Sequence, residues 1–456
     1  MTRVAVIGAG AVGCATASAL VRAGHEVTLI EAKADVGAGT SKANTAIWHT
    51  GFDAKPGSRE AGLVARGHRL LTERAEGMNW PLERTGALLV AWDDEQLSRL
   101  DGIVANAEQV GYHAVERLTV DRVYAAEPHL GPGVRGALRV PDEGLLDPWS
   151  IVIGLATDAV VNGATLLTSA PVTAVERRDA SYRMTAGPHV VDVEWIVNAA
   201  GLHSDDVDRL LGEDGFTVTP RRGQLIVFDK LARGLLAHII LPVPTATTKG
   251  VLVSPTVYGN ILLGPTAEDL PDKNASQTTQ AGIDGLLAMG RRILPALLDE
   301  EVTATYAGLR AATEHSDYCL AVIAPKRYVR MGGIRSTGIS SCLALAEEAT
   351  LALAEHAGPS VPLADPVSVP MPTLAEARLR PYADADLISR DPAYGRIVCL
   401  CERVTSGEIR DALGSAVPAR DIDGIRRRTR ALAGRCAGFH CGATVTEMLA
   451  SGGRDA

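Results

Sequence analysis

The chain has 456 residues, 46% of them hydrophobic and 22% charged, and a net charge of −9. That length suits two or three domains, and the apolar content excludes a disordered chain. The acidic balance argues against nucleic acid as a main partner, since phosphate recognition needs a basic face.

No apolar run reaches the roughly twenty residues a membrane span needs, and the N-terminal residues lack the basic region and cleavage site of a leader. Of seven cysteines, Cys14, Cys319 and Cys342 stand alone and four fall after residue 398. An odd number with no dispersed pairing framework predicts reduced thiols and a cytoplasmic protein.

The first strand is predicted at 3–8, "RVAVIG", followed by an Ala-rich helix to about Ala23 and a second strand at 26–32. This is a βαβ unit with a right-handed crossover. Its turn, "GAGAVG", places Gly8, Gly10 and Gly13 in G-x-G-x-x-G spacing. The first allows a tight turn, the second a close approach to a pyrophosphate, the third close helix–strand packing. Glu31 follows Gly13 by 18 residues, where a carboxylate accepts from ribose hydroxyls. Dinucleotide binding is the expectation, with an unliganded Gly-rich turn as the alternative.

Further along, "EWIVNAAG" (194–201) reads as a buried strand running into Gly201, and "GQLIVFD" and "GNILLGPT" as sheet strands with one covered face. The strand-like "TATYAGL" precedes Arg310. "GGIRSTGIS" is a Gly-rich turn opening a helix, a place for N–H groups to face an anion or electron-rich ring, or else an ordinary capped helix. Residues 342–356 predict an amphipathic helix. Residues 358–372, dense in Pro, predict an extended linker to a small terminal unit. There Cys399, Cys401, Cys436 and Cys441 form C-x-C, 34 residues, then C-x4-C. Four thiolates in two close pairs suit a soft-metal centre, with zinc or unligated thiols as alternatives.

The stretches "GAGAVGCATASALVRAGHEVTLIEA", "GTSKANTAIWHTGF", "WIVNAAGLHSDDV" and "GGIRSTGISSCLALAEEA" resemble the FAD-dependent D-amino-acid-oxidase-like superfamily. Within it, the likeness is to the L-2-hydroxyglutarate oxidase and glycerol-3-phosphate dehydrogenase-like branch. It spans nearly all of residues 1–357. The resemblance implies FAD held by Gly8, Gly10, Gly13 and Glu31, with flavin contacts from residues 40–49, among them Thr40 and Ser41. Gly201, and a return to the flavin through Gly333, Gly338 and Ile339, complete the implied site. His49 is a candidate base for an alcohol proton; alternatively it is a covalent or packing partner of the flavin, or a structural histidine. The family counterpart of Arg310 binds the anionic group of the substrate, a task guanidinium suits. Arg335 is a second candidate and His315 a lesser one. "GGIRSTGIS" is closer to the 2-hydroxy-acid and amine branches than to the Gly-Gly-Lys return of classical glycerol-3-phosphate dehydrogenases, and Tyr258 stands where His is frequent.

The tail, including "TRALAGRCAGFHCG", resembles the bacterioferritin-associated-ferredoxin-like [2Fe–2S] domain. Arg426, Arg427, Arg428 and Arg430 precede its second cysteine pair, to tune the cluster, to dock an acceptor, or as a solvated face. The expected fold is α/β: a Rossmann-like FAD domain (1–80, 145–212, 305–357), an inserted α+β substrate domain (81–144, 213–304), a linker (358–392) and an iron–sulfur domain (393–456). The expected function is a dehydrogenase for a small anionic secondary alcohol, such as L-2-hydroxyglutarate or glycerol 3-phosphate. Its electrons leave through the cluster to an acceptor protein or carrier, with further subunits envisaged. The alternatives are an amino-acid, amine or opine dehydrogenase, or an electron-transfer subunit.

Overall fold

A computed structural model describes residues 1–244 and 250–453; residues 245–249, within the expected substrate domain, and 454–456, at the end of the iron–sulfur unit, lie outside it. The β-branched run at the N-terminus forms the strand Arg3–Ile7, with Val4, Ala5 and Val6 fully buried. It pairs in parallel with Glu26–Ile30 on one side and Trp195–Asn198 on the other. A six-stranded sheet results, in the order Cys319–Ile323, Tyr328–Gly332, Trp195–Asn198, Arg3–Ile7, Glu26–Ile30, Thr165–Leu167. One face is covered by the helices Ala11–Arg22, Pro148–Val161 and Gly338–His356. The other packs on a three-stranded meander, Val172–Arg178, Ser181–Ala186 and His189–Val193.

The helix Gly338–His356 departs from its predicted amphipathic pattern. Ser340 to Ala346 are buried on every side, and only its last turns show an exposed face. Its N-terminal half lies inside the molecule, between the helices Ala11–Arg22 and Arg59–Ala75, so small residues replace a polar stripe there.

The second sheet has nine strands, drawn from residues 87–140 and 218–313. Its longest pair, Val218–Phe228 with Val302–Thr313, sets Arg221 opposite Arg310. Between the two sheets lies a short ribbon in which Ile47–Trp48 pairs with Gly144–Leu146, and Leu82–Glu83 pairs on its far side. Only glycine fits at 144: a Cβ there would meet Glu83 O at 2.5 Å.

The Pro-rich stretch is extended but is not a free spacer. Leu363 N–H donates to Arg22 O at 3.0 Å and Met371 N–H to Met78 O at 2.9 Å. Val367 and the Asn162 side chain exchange two hydrogen bonds of 2.8 Å. Proline runs cannot pair as sheet, so this strap is held by side chains and isolated main-chain groups of the nucleotide-binding half.

The terminal unit has its own core of Val404, Ile409, Ile425, Val445 and Met448. A capping box of Thr405 and Glu408 starts its helix Ser406–Gly414. The arginine run beside it is not a solvated face: Arg426 is half-buried and the others are buried. Arg427 and Arg428 are buried and reach Asp35 at 2.5 and 2.7 Å. Arg430 is buried against Glu402 at 2.8 Å, donates to Asn260 Oδ1 at 3.2 Å and lies 4.0 Å over the Tyr258 ring. Burial pushes the Asp35 carboxyl up, but the hydrogen bonds and charges of Arg428 and Arg427 outweigh it and hold the group below the usual carboxylate range.

Candidate active site

Gly8 has φ +101°, and a Cβ there would sit 2.5 Å from Ala199 O; one on Gly13 would sit 1.7 Å from Gly8 O. Only glycine serves at either position. Gly10 caps the helix Ala11–Arg22 with no side chain of its own, and Ala11 N–H donates to Ser41 Oγ at 3.0 Å. The Glu31 carboxylate accepts from Ala9 N–H at 2.8 Å and Lys33 N–H at 2.9 Å. Burial pushes it up, opposed by those N–H groups. Its partners are main-chain donors, so lone pairs remain for hydroxyl donors. This cradle fits the pyrophosphate and ribose of a dinucleotide.

Residues 40–46 are pinned to the strand Val302–Thr313. Thr40 Oγ1 donates to Leu309 O at 2.8 Å, Tyr306 OH donates to Asn44 O at 2.6 Å, and a Cβ on Gly308 would strike Ala43 O at 2.0 Å. His49, at the end of this segment, donates its N–H to Ser340 Oγ at 3.0 Å. That bond joins it to the Gly-rich return, where Gly333 has φ +64° and Gly338 starts the long helix. Thr337, the residue at its N-cap, makes no capping hydrogen bond; its hydroxyl instead donates to Glu60 Oε1 at 2.8 Å and meets Tyr318 OH at 2.5 Å. Ile339 is half-buried on the same turn, and Gly201, φ +57°, opens a short turn after Trp195–Asn198.

The two arginine candidates differ. Arg310 donates to three main-chain carbonyls, Thr266 O at 2.8 Å, Arg221 O at 3.4 Å and Arg222 O at 3.5 Å. Burial and the neighbouring Arg221 charge pull its guanidinium down to about 10. Its neighbour Asp269 is bonded twice to Arg221, at 2.6 and 2.8 Å. Arg335 is ion-paired with Glu60 at 2.5 Å. His315 is exposed and bonds Gly215 O at 3.2 Å. Tyr258 is buried and donates to Asp147 at 2.5 Å, under Arg430. Sequence reasoning missed Glu143, fully buried, with its Oε2 3.1 Å from His49 Nδ1.

In the terminal unit Cys399 and Cys441 are buried and Cys401 and Cys436 half-buried, and the thiols lie near enough to act on one another electrostatically. Among the described residues no group of three or more His, Cys, Asp or Glu side chains is gathered as a metal site. Main-chain N–H groups of His440, Gly438 and Phe439 draw the Cys436 thiol down, which favours the thiolate a metal takes. Burial pushes Cys441 up to about 11, with the Cys399 charge adding to it. A Cβ on Gly434 would sit 2.2 Å from Cys401 Cβ, so the ligand loop closes only around glycine. Four thiolates in two pairs fit an iron–sulfur cluster.

The fold and these two sites define a flavin-dependent redox protein with an iron–sulfur tail. The FAD dependent oxidoreductase family model matches residues 3–351, and the chain belongs to that family. The BFD-like [2Fe-2S] binding domain matches residues 397–451. The protein binds FAD and carries a [2Fe–2S] domain. It is 35% identical over 454 residues to a glycerol 3-phosphate dehydrogenase of Caloramator mitchellensis, covering 99% of this chain and 94% of that one. It is 31% identical over 273 residues to a mitochondrial L-2-hydroxyglutarate dehydrogenase of Caenorhabditis briggsae, covering 58% and 62%. The FAD-bound L-alpha-glycerophosphate oxidase of Mycoplasma pneumoniae superposes with a TM-score of 0.71 at 28% identity, over 77% of this chain and 95% of that one. No helix among the described residues is long and apolar enough to cross a membrane.

Proposed function

We propose that the protein is a dehydrogenase of a small anionic secondary alcohol, with glycerol 3-phosphate as its substrate, and that electrons leave through the terminal domain to an acceptor protein or carrier. The observation that carries this reading is Arg310, a half-buried cation whose hydrogen bonds, among the described residues, go to main-chain carbonyl groups. Its neighbouring carboxylate, Asp269, is hydrogen-bonded to Arg221, so the guanidinium favours a phosphate or carboxylate, bound bidentately. Glycine residues 8, 10 and 13 with Glu31 would hold the adenine-dinucleotide end of FAD, and residues 40–49 and 333–340 its ring. When bound, FAD supplies the hydride acceptor. The chain's part is to anchor the substrate anion at Arg310 and to receive the hydroxyl proton at His49 as the carbon–oxygen bond becomes a carbonyl. Arg335, paired with Glu60, steadies the Gly-rich return. The acceptor meets the cluster on its exposed side, where Leu400 and Phe439 flank the ligands.

A 2-hydroxy acid is the second reading, favoured by the "GGIRSTGIS" return and by the partial match to the L-2-hydroxyglutarate enzyme. Anaerobic titration of the holoenzyme tests both. Flavin bleaching by glycerol 3-phosphate, followed by cluster reduction, is expected. Bleaching only by L-2-hydroxyglutarate selects the second reading, and bleaching by amino acids with release of ammonia overturns both.

A further inference from the structure

Glu143 belongs to no motif and lies 94 residues from His49, yet the short ribbon at the junction sets them side by side. Trp48 pairs with Gly144, which places the residues on either side of that pair in contact. The carboxylate is fully enclosed. Its Oε2 stands 3.1 Å from His49 Nδ1, and its Oε1 accepts from the Thr50 N–H at 2.7 Å and the Thr50 hydroxyl at 2.9 Å. A buried carboxylate is kept only where its lone pairs are matched, and here all three partners lie on two consecutive residues of the flavin-facing segment.

We propose that Glu143 is a positioning residue for His49: it fixes the imidazole as the Nδ1–H tautomer and stabilises the imidazolium formed when the ring takes the alcohol proton. The inference rests on the role of His49 as base in the proposed function. A carboxylate only accepts, so Nδ1 carries the hydrogen and the ring's lone pair lies on Nε2. The two Thr50 donors prevent the carboxylate from turning away, and the His49 N–H bond to Ser340 fixes the main chain behind the ring. Among the described residues, titratable groups close to Glu143 also have partners of their own. His68, from the helix Arg59–Ala75, stacks on Trp48 at 4.0 Å and meets Asp142 O at 3.1 Å. Tyr112 donates to Asp142 Oδ2 at 3.1 Å, and Arg84 pairs with Asp142 at 3.1 Å while lying 5.1 Å over Trp48.

The test uses Glu143→Gln in the holoenzyme. One readout is the pH dependence of the limiting rate of anaerobic flavin reduction; the other is the nitrogen-15 spectrum of histidine-labelled protein without substrate. Reduction is expected to slow about 100-fold, and the acid limb of its pH profile to move to lower pH, because the protonated ring has lost a neighbouring negative charge. The His49 signals are expected to pass from one tautomer to a mixture. Unchanged His49 signals overturn the proposal, and so do changed signals with a wild-type rate and profile. His49→Ala separates this from failure of the wider reading. Normal reduction in His49→Ala removes the base and the proposal with it; slow reduction there beside normal Glu143→Gln removes only the role of Glu143. Should Glu143→Gln not retain FAD, Thr50→Val carries the test, since it removes one of the two donors that hold the carboxylate without removing its charge. A partial slowing with mixed tautomers is then expected, and wild-type behaviour overturns the proposal.

Discussion

At the scale of single residues, Arg310 and Arg335 show how little an isolated arginine says in a sequence. Both stand beside glycine-rich or strand-like segments, and both were candidates to bind an anion. Glu60, 275 residues away, takes the guanidinium of Arg335, whereas Arg310 donates to main-chain carbonyls. Arg310→Leu is therefore expected to weaken substrate binding by about 2–5 kcal/mol, read as the half-saturating substrate concentration for flavin reduction, with FAD content unchanged. Arg310→Lys recovers part of the loss, since a point charge replaces a planar fork. Arg335→Ala is expected to leave that concentration near its wild-type value. Equal effects of the two truncations would remove the distinction between them. Glu143 could not be read from the sequence because a two-residue strand, Ile47–Trp48, creates its contact with His49; no periodicity marks so short an element.

Whole elements were legible where the signal is local. The strand, Gly turn and helix at the N-terminus follow from six consecutive residues whose spacing has a steric cause, and the structure starts its strand and helix at Arg3 and Ala11. The long helix Gly338–His356 was visible as a helix but not as a buried one, because burial depends on neighbours from distant parts of the chain. The cluster loop has a steric requirement of the same kind as the nucleotide turn, at Gly434. Gly434→Ala puts a methyl group against Cys401 and is expected to abolish most of the bound iron and acid-labile sulfide while FAD absorbance stays. Iron content equal to wild type would show that the loop can yield.

The whole molecule is fastened by charges that the sequence places far apart. Asp35 and Arg428 are 393 residues distant, and Arg430 and Asn260 are 170 distant. A run of arginines read along the chain looks like a surface, and only the folded arrangement makes it an anchor. Asp35→Ala leaves two buried guanidinium groups without their carboxylate, a change that typically costs about 3–5 kcal/mol. Faster proteolysis between the strap and the terminal unit, at constant cysteine and iron content, is the expected readout; unchanged cleavage would show that Arg430 suffices. Because the Asp35 carboxyl is held low in the folded protein, its contribution is present above the ordinary carboxylate range and is lost as pH falls through the folded value. Acid release of the terminal unit should accordingly lose part of its pH dependence in Asp35→Asn.

The strap across the back of the nucleotide-binding half ties the terminal unit to the same chain that it docks against. Any traffic between the two halves is thereby first-order: its rate does not fall when the protein is diluted, and no second molecule has to be encountered. Two separate proteins would need a high concentration of each to match it, since a tether sets an effective concentration that dilution cannot lower.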